Sequence, residues 1–237
     1  VIVVDTPPPV RAVFTTRTPE GDLGTTGPEP VSSAVIENRL ALCATLGFDP
    51  DQVVMGQQVH GADVHAVNTV ARPGNFASGQ AGRPGDGLAT HRPGVALAVM
   101  GADCLPVLLW RADGSAVAAA HAGWRGLVSG VVENTARALG PSESLQAVIG
   151  PGIGPCCYRV SNDVRQRFSE RFGAEVVRDE AVDLAAAART ALCTMGIDGN
   201  AIITVQACTH CDADRFFSYR REGDKAGRQA GLIWMET

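Results

Sequence analysis

The sequence predicts a mixed α/β fold of the α+β kind, a single domain over residues 1–237 with mixed sheets flanked by helices. Three observations predict it. Short apolar runs recur at 95–100, 105–109 and 115–120 with no helix-length segment between them, the pattern of buried strands that follow one another directly. Segments of helical spacing, each with a start or stop signal, separate other strands. No repeat, linker or shift of composition divides the 237 residues, a length that one large domain can hold.

Taken in order, 10–16 (V-R-A-V-F-T-T) read as an opening strand, followed by a Gly-, Pro- and Thr-rich loop over 18–30. Ser32 or Ser33 can cap a helix through Ile36, Leu40 and Cys43 that stops at Gly47. Val53 to Met55 make a strand, and A-D-V-H-A-V at 62–67 alternates as a half-buried strand does. Residues 72–85 are turn-rich, a surface connection or else a flap. After the three apolar runs, helical spacing over 127–139 stops at Gly140, and Val148 and Ile149 form a further strand. Ser161 or Asp163 opens a helix through Val164, Phe168 and Phe172, and Asp183 caps an alanine-rich helix ending at Met195. Strands are expected at 201–206, 216–219 and 231–235.

The chain is 45% hydrophobic with a formal net charge of −5 and no basic run, which argues against binding nucleic acid through phosphate neutralisation. No apolar stretch approaches the ~20 residues of a membrane span. The N-terminal V-I-V-V-D-T-P-P-P has no charged region before an apolar core. The seven cysteines are odd in number and scattered, unlike a secreted disulfide framework. The expected location is the reducing cytoplasm.

Three motifs carry the chemistry: Q-Q-V-H-G at 57–61, G-A-D-C-L-P at 101–106 and A-H-A-G-W-R-G at 120–126. They offer His60, Cys104 and His121, each at the end of an apolar run beside glycine or a carboxylate. Two imidazoles and a thiolate suit zinc and leave a fourth position open, as catalytic zinc sites do. The spacing alone also allows a core thiol and two polar histidines. Arg125, between Gly123 and Gly126 and ahead of a helix, is a forked donor for phosphate or carboxylate, or else a surface ion-pair partner. Asp86, between two glycines, can hold a water, a His N–H or a sugar hydroxyl, or its own turn. Asp103 is expected to anchor structure. G-P-G-I-G-P-C-C-Y at 150–158 is a poor nucleotide loop, since prolines interrupt it and no Lys-Ser/Thr follows. Cys156 and Cys157 there either line the site or pack. C-T-H-C at 208–211 lacks a second C-x-x-C, so a packed terminal segment is preferred to a metal role.

Taken together, Q-Q-V-H-G, D-G-L-A-T, A-D-C-L-P-V, A-H-A-G-W-R-G, G-P-G-I-G-P-C-C-Y and the run from C-T-H-C through D-A-D-R-F-F-S-Y-R-R-E-G to G-R-Q-A-G resemble the laccase-domain family. This family is also called the YfiH or multicopper polyphenol oxidoreductase family. The resemblance covers nearly the whole chain in order. It implies a fold distantly similar to the catalytic domain of cytotoxic necrotizing factor, and zinc at His60, Cys104 and His121. It also implies phosphorolysis of adenosine, inosine and methylthioadenosine together with deamination of adenosine. The partners are then purine nucleosides and phosphate, and a homodimer is the assembly allowed. Asp86 and Arg125 are the catalytic candidates, and Arg17, Arg125 and Gln58 the candidates for substrate and phosphate. Two departures stand out: Arg159 replaces the family's acid after C-C-Y, and the glycine-rich segment within 18–30 is shortened. Three alternatives remain: a copper-dependent polyphenol oxidase, a cysteine hydrolase or amidase acting on cell-wall precursors with Cys104 as nucleophile, and a non-enzymatic metal-stabilised binding protein.

Overall fold

The computed structural model describes residues 1–24, 31–67, 75–78 and 82–237. Residues 72–74 and 79–81 of the expected turn-rich loop, and residues 25–30 of the shortened segment, lie outside the described residues. In chain order the strands are β1 (Ile2–Val4), β2 (Val10–Phe14), β3 (Val53–Met55), β4 (Val64–Ala66), β5 (Gly87–Thr90), β6 (Ala96–Gly101), β7 (Leu105–Arg111), β8 (Val117–Ala122), β9 (Leu145–Ile149), β10 (Val177–Arg178), β11 (Ala181–Val182), β12 (Ile202–Thr204) and β13 (Gln229–Met235). The α-helices are α1 (Ser33–Leu46), α2 (Trp124–Ser129), α3 (Val131–Ala138), α4 (Asn162–Phe172), α5 (Leu184–Thr194) and α6 (Tyr219–Glu222).

Two mixed sheets form the body, as the sequence predicts. One runs β1-β2-β13-β6-β3 and the other β12-β9-β7-β8-β5-β4. The alternation of side chains along each strand builds the layers. Leu97, Val99, Leu108, Trp110, Val117 and Ala119 pack between the sheets. Their sequence neighbours face outward to helices. Ala118, Ala120 and Leu109 meet α3 and α5 through Val131, Val132, Ala187 and Ala188. On the other sheet, Ala98 and Met100 meet Leu42 and Cys43 of α1.

The helix signals act as expected at several ends. The Ser32 side chain accepts the Val35 N–H, and Gly47 closes α1 in the left-handed conformation at φ 76°. Asp183 accepts the Ala186 N–H at the start of α5. Several elements differ from expectation. The helix expected over 127–139 begins earlier, at Trp124, and is divided where Gly130 takes φ 90°. β1 and β5 were not foreseen, being short and without clear alternation. The strand expected at 216–219 is a loop entering α6. The Gln229 side chain accepts the Phe217 N–H and donates to the Phe217 carbonyl, in place of the strand partner. The Ser218 hydroxyl then caps α6 by accepting the Arg221 N–H. No helix among the described residues is long and apolar enough to cross a membrane.

Candidate functional site

The three predicted ligand residues meet at one end of the space between the sheets. His121 shares the inward face of β8 with Val117 and Ala119 by parity, at the end where that face opens. Cys104 sits in the turn between β6 and β7, and His60 on the connection from β3 to β4. The Cys104 Sγ lies 3.8 Å from His60 Nε2, and the two imidazole rings are 4.9 Å apart, edge to face. One ligand atom from each of the three residues falls within 4.8 Å of the others. Gly123 makes the room: a Cβ there would stand 2.8 Å from the Cys104 sulfur and 3.0 Å from the His60 ring.

Two non-glycine residues with positive φ flank this point, His60 at 60° and Asp103 at 91°. Such conformations cost free energy and persist where surrounding contacts enforce them. For His60 the enforcer is Asp86, which is 1% exposed. The Asp86 carboxylate accepts the N–H groups of Val59, His60 and Gly61 at 3.0, 3.0 and 2.8 Å. It also lies 2.7 Å from His121 Nδ1. Asp86 immediately precedes β5, which pairs antiparallel with β8, so the two residues are cross-strand neighbours. For Asp103 the enforcers are the Thr209 hydroxyl and the Arg220 N–H, bound at 2.6 and 2.7 Å. Asp103 thus anchors structure, as expected.

Charge follows from this geometry. Burial alone would raise the Asp86 carboxyl, but the bond and charge of His121 and the backbone donors outweigh it and hold the group below its ordinary value. Burial likewise opposes ionisation of Cys104, yet His121, and then His60, bring its thiol down to about 6. His121 is driven the other way. Burial would lower it, but the Cys104 charge and the Asp86 bond raise it to about 9. These shifts favour a Cys104 thiolate paired with a protonated His121, whose Nε2 proton a bound metal would displace. With two imidazoles beside the thiolate, the donor set fits a borderline-soft ion such as zinc.

The trio opens on a cavity of about 410 Å³. Its walls include Trp124, Arg125, Tyr158, Tyr219, Arg220 and Arg228. Arg125 lies over the Trp124 ring at 4.6 Å and Arg220 over Tyr158 at 5.1 Å. Burial, with the negative charge of Cys104, pushes the Tyr158 hydroxyl above its usual range, so it stays a proton donor at neutral pH.

Several expected roles are corrected. Asp86 is not placed to carry protons for a substrate: it is buried behind His121 with both oxygens engaged, and it orients that imidazole. Gln58 is not a substrate contact, because its side chain is spent on the backbone of Met100, donating to the carbonyl and accepting the N–H. Arg17 does not line the cavity. It pairs with Glu222 at 2.5 Å and lies over the Phe217 ring. Arg125 does line the cavity, but from the first turn of α2 rather than ahead of a helix. Arg159 pairs with Glu180 at the surface. Sequence reasoning missed Arg220, Arg228, Tyr158 and Tyr219 as cavity walls. The signal was the S-Y-R-R-E-G segment, where two arginines follow a tyrosine too closely for a strand to hold them on one face.

Residues 23–236 match the family described as multi-copper polyphenol oxidoreductase laccase. Over 208 residues the chain is 38% identical to purine nucleoside phosphorylase YfiH of Escherichia coli strain K12, covering 85% of this chain and 81% of that protein. It is 34% identical over 207 residues to adenosine deaminase RL5 of an unknown prokaryotic organism, covering 82% and 79%. The crystal structure of the hypothetical protein YfiH of Bacillus licheniformis superposes with a TM-score of 0.86 at 31% identity, over 96% of this chain and 93% of that one.

Proposed function

The chain belongs to the multi-copper polyphenol oxidoreductase laccase family, and on that premise we propose that it is a zinc-dependent purine nucleoside phosphorylase that also deaminates adenosine. Residues 1–237 act as one catalytic domain. The observation that carries the reading is the convergence of His60, Cys104 and His121 at the floor of a cavity walled by arginines and aromatic rings. A zinc ion held by these three residues would supply Lewis acidity to an oxygen nucleophile or a phosphate.

The chain's own residues do the rest. Asp86 fixes the His121 ring through Nδ1, leaving Nε2 directed at the metal position. Arg125, Arg220 and Arg228 line the cavity as donors for phosphate; Arg220 and Arg228 each give Nη1 to backbone carbonyls, so Arg125 offers the complete fork. Arg125 makes no ion pair among the described residues, so its guanidinium is free for an anion. Trp124, Tyr158 and Tyr219 offer apolar faces to a purine, and the Tyr158 hydroxyl is a donor that a substrate in the cavity could use. The two names borne by relatives, phosphorylase and adenosine deaminase, fit one site that can direct either phosphate or water at a nucleoside.

A polyphenol oxidase with several coppers needs many imidazoles near one another. Among the described residues no metal-binding group contains more than the two histidines here. A cysteine hydrolase is favoured by one specific observation, the order Cys104, His121, Asp86, which is that of a nucleophile, its base and an orienting carboxylate. The test of the proposal is product analysis on adenosine. Adenine formed only with phosphate, and inosine formed without it, are expected; formation of neither from the zinc-loaded enzyme would overturn it.

A further inference from the structure

A second convergence of sulfur lies outside the cavity. Cys156 and Cys157 follow β9, and Cys208 and Cys211 follow β12. These strands are parallel neighbours, so the loops leaving them run side by side. Gly152 forms an isolated bridge with Cys208, and the Thr209 N–H reaches the Gly152 carbonyl at 3.0 Å. Residues 155–157 form a turn. This allows two consecutive sulfurs to point the same way, which a strand would forbid.

The four Sγ atoms all lie within 4.8 Å of one another. Cys157 is 3.3 Å and Cys156 3.7 Å from the Cys211 sulfur. Four thiolates around one zinc, each at about 2.3 Å, stand roughly 3.8 Å apart. The Gly154 N–H donates to the Cys208 sulfur at 3.2 Å, the kind of contact that orients a thiolate ligand. A Cβ at Gly154 would come within 3.3 Å of the Cys156 sulfur and of Cys208 Cβ, so the sequence leaves this point bare. No disulfide joins the four.

We propose that Cys156, Cys157, Cys208 and Cys211 form a second metal site, a tetrathiolate that holds zinc and clips the loop after β9 to the turn after β12. Four protein ligands fill a tetrahedral ion, so this site is structural and has no position for substrate. The clip braces one wall of the cavity. Thr209, between two of the ligands, donates to Asp103, while Tyr158, next to Cys157, lies under Arg220.

The test is zinc content of protein purified anaerobically with a thiol reductant and no chelator. Wild type should hold about two zinc ions, and His60→Ala/Cys104→Ala and Cys156→Ser/Cys211→Ser about one each. About one zinc in wild type and none in His60→Ala/Cys104→Ala would overturn the proposal. About one in wild type, kept by His60→Ala/Cys104→Ala, would sustain the cluster and remove the cavity site instead. Should the cysteine variant fail to fold, wild type and His60→Ala/Cys104→Ala together decide. The exposed thiols of Cys156 and Cys211 should resist iodoacetamide until a chelator is added. Their immediate alkylation, or a Cys157–Cys211 disulfide in the anaerobic protein, would overturn the assignment.

Discussion

The two thiol clusters differ in what surrounds them. At His60, Cys104 and His121 one sulfur is matched by two imidazoles, and a buried carboxylate stands behind them, its four contacts fixing both a ring and the backbone of 59–61. At Cys156, Cys157, Cys208 and Cys211 four sulfurs face one another at the surface, braced by backbone N–H donors and a β-bridge. The first arrangement spends protein structure on keeping three ligands in place and a fourth direction open. The second closes on itself. Openness and carboxylate backing distinguish a centre for chemistry from one for stability.

Substitutions can break that contrast. Cys104→Ala has the largest expected effect: activity falls below detection and one zinc is lost, while circular dichroism shows a folded chain, because the ion at Cys156–Cys211 and the large core remain. Unfolding of this variant would mean that the cavity site, too, is structural. Asp86→Asn comes next. It puts an amide where four donors converge, so metal affinity or kcat/KM should fall about ten- to hundredfold, measured by zinc competition with a chromophoric chelator. An unchanged affinity would deny Asp86 its positioning role.

Arg125→Lys keeps the charge and removes the fork. The KM for phosphate should rise roughly tenfold, the worth of one charge-assisted hydrogen bond, with deamination less affected. Equal losses in both reactions would make Arg125 a packing partner of Trp124. The smallest effect belongs to the second cluster. Gly154→Ala crowds the sulfurs at 3.3 Å and should cost about 1 kcal/mol, lowering Tm by roughly 2–4 °C with kcat unchanged. A change in kcat with constant Tm would tie that cluster to the chemistry.

Much of this was legible in the sequence because strand ends deliver side chains to clefts. His60, Cys104 and His121 each close an apolar run beside glycine or a carboxylate, and the caps at Ser32, Gly47 and Asp183 announce their helices. What was not legible depends on pairing across the chain. Asp86 looks like a free turn carboxylate until β5 is laid against β8. Gln58 looks available until Met100 is brought beside it. Cys208 and Cys211 lacked a partner pair in sequence because Cys156 and Cys157 join them only through the parallel contact of β9 and β12. Arg220 and Arg228 were hidden by reading 216–219 as a strand, where a glutamine side chain stands in for the neighbouring strand.

Cys104 is assigned here as a metal ligand and not as a free nucleophile. Alanine variants cannot separate these roles, since both need Cys104 and His121. The alkylation rate at Cys104, followed by peptide mapping in zinc-replete and chelated enzyme, separates them directly. A thiolate bound to zinc gives its charge to the metal and is shielded. Slow alkylation with zinc, fast alkylation after chelation, and activity lost with the metal and restored by adding it back are expected. Fast alkylation in the zinc-replete enzyme, with activity indifferent to chelator, would contradict the assignment and install the cysteine hydrolase in its place.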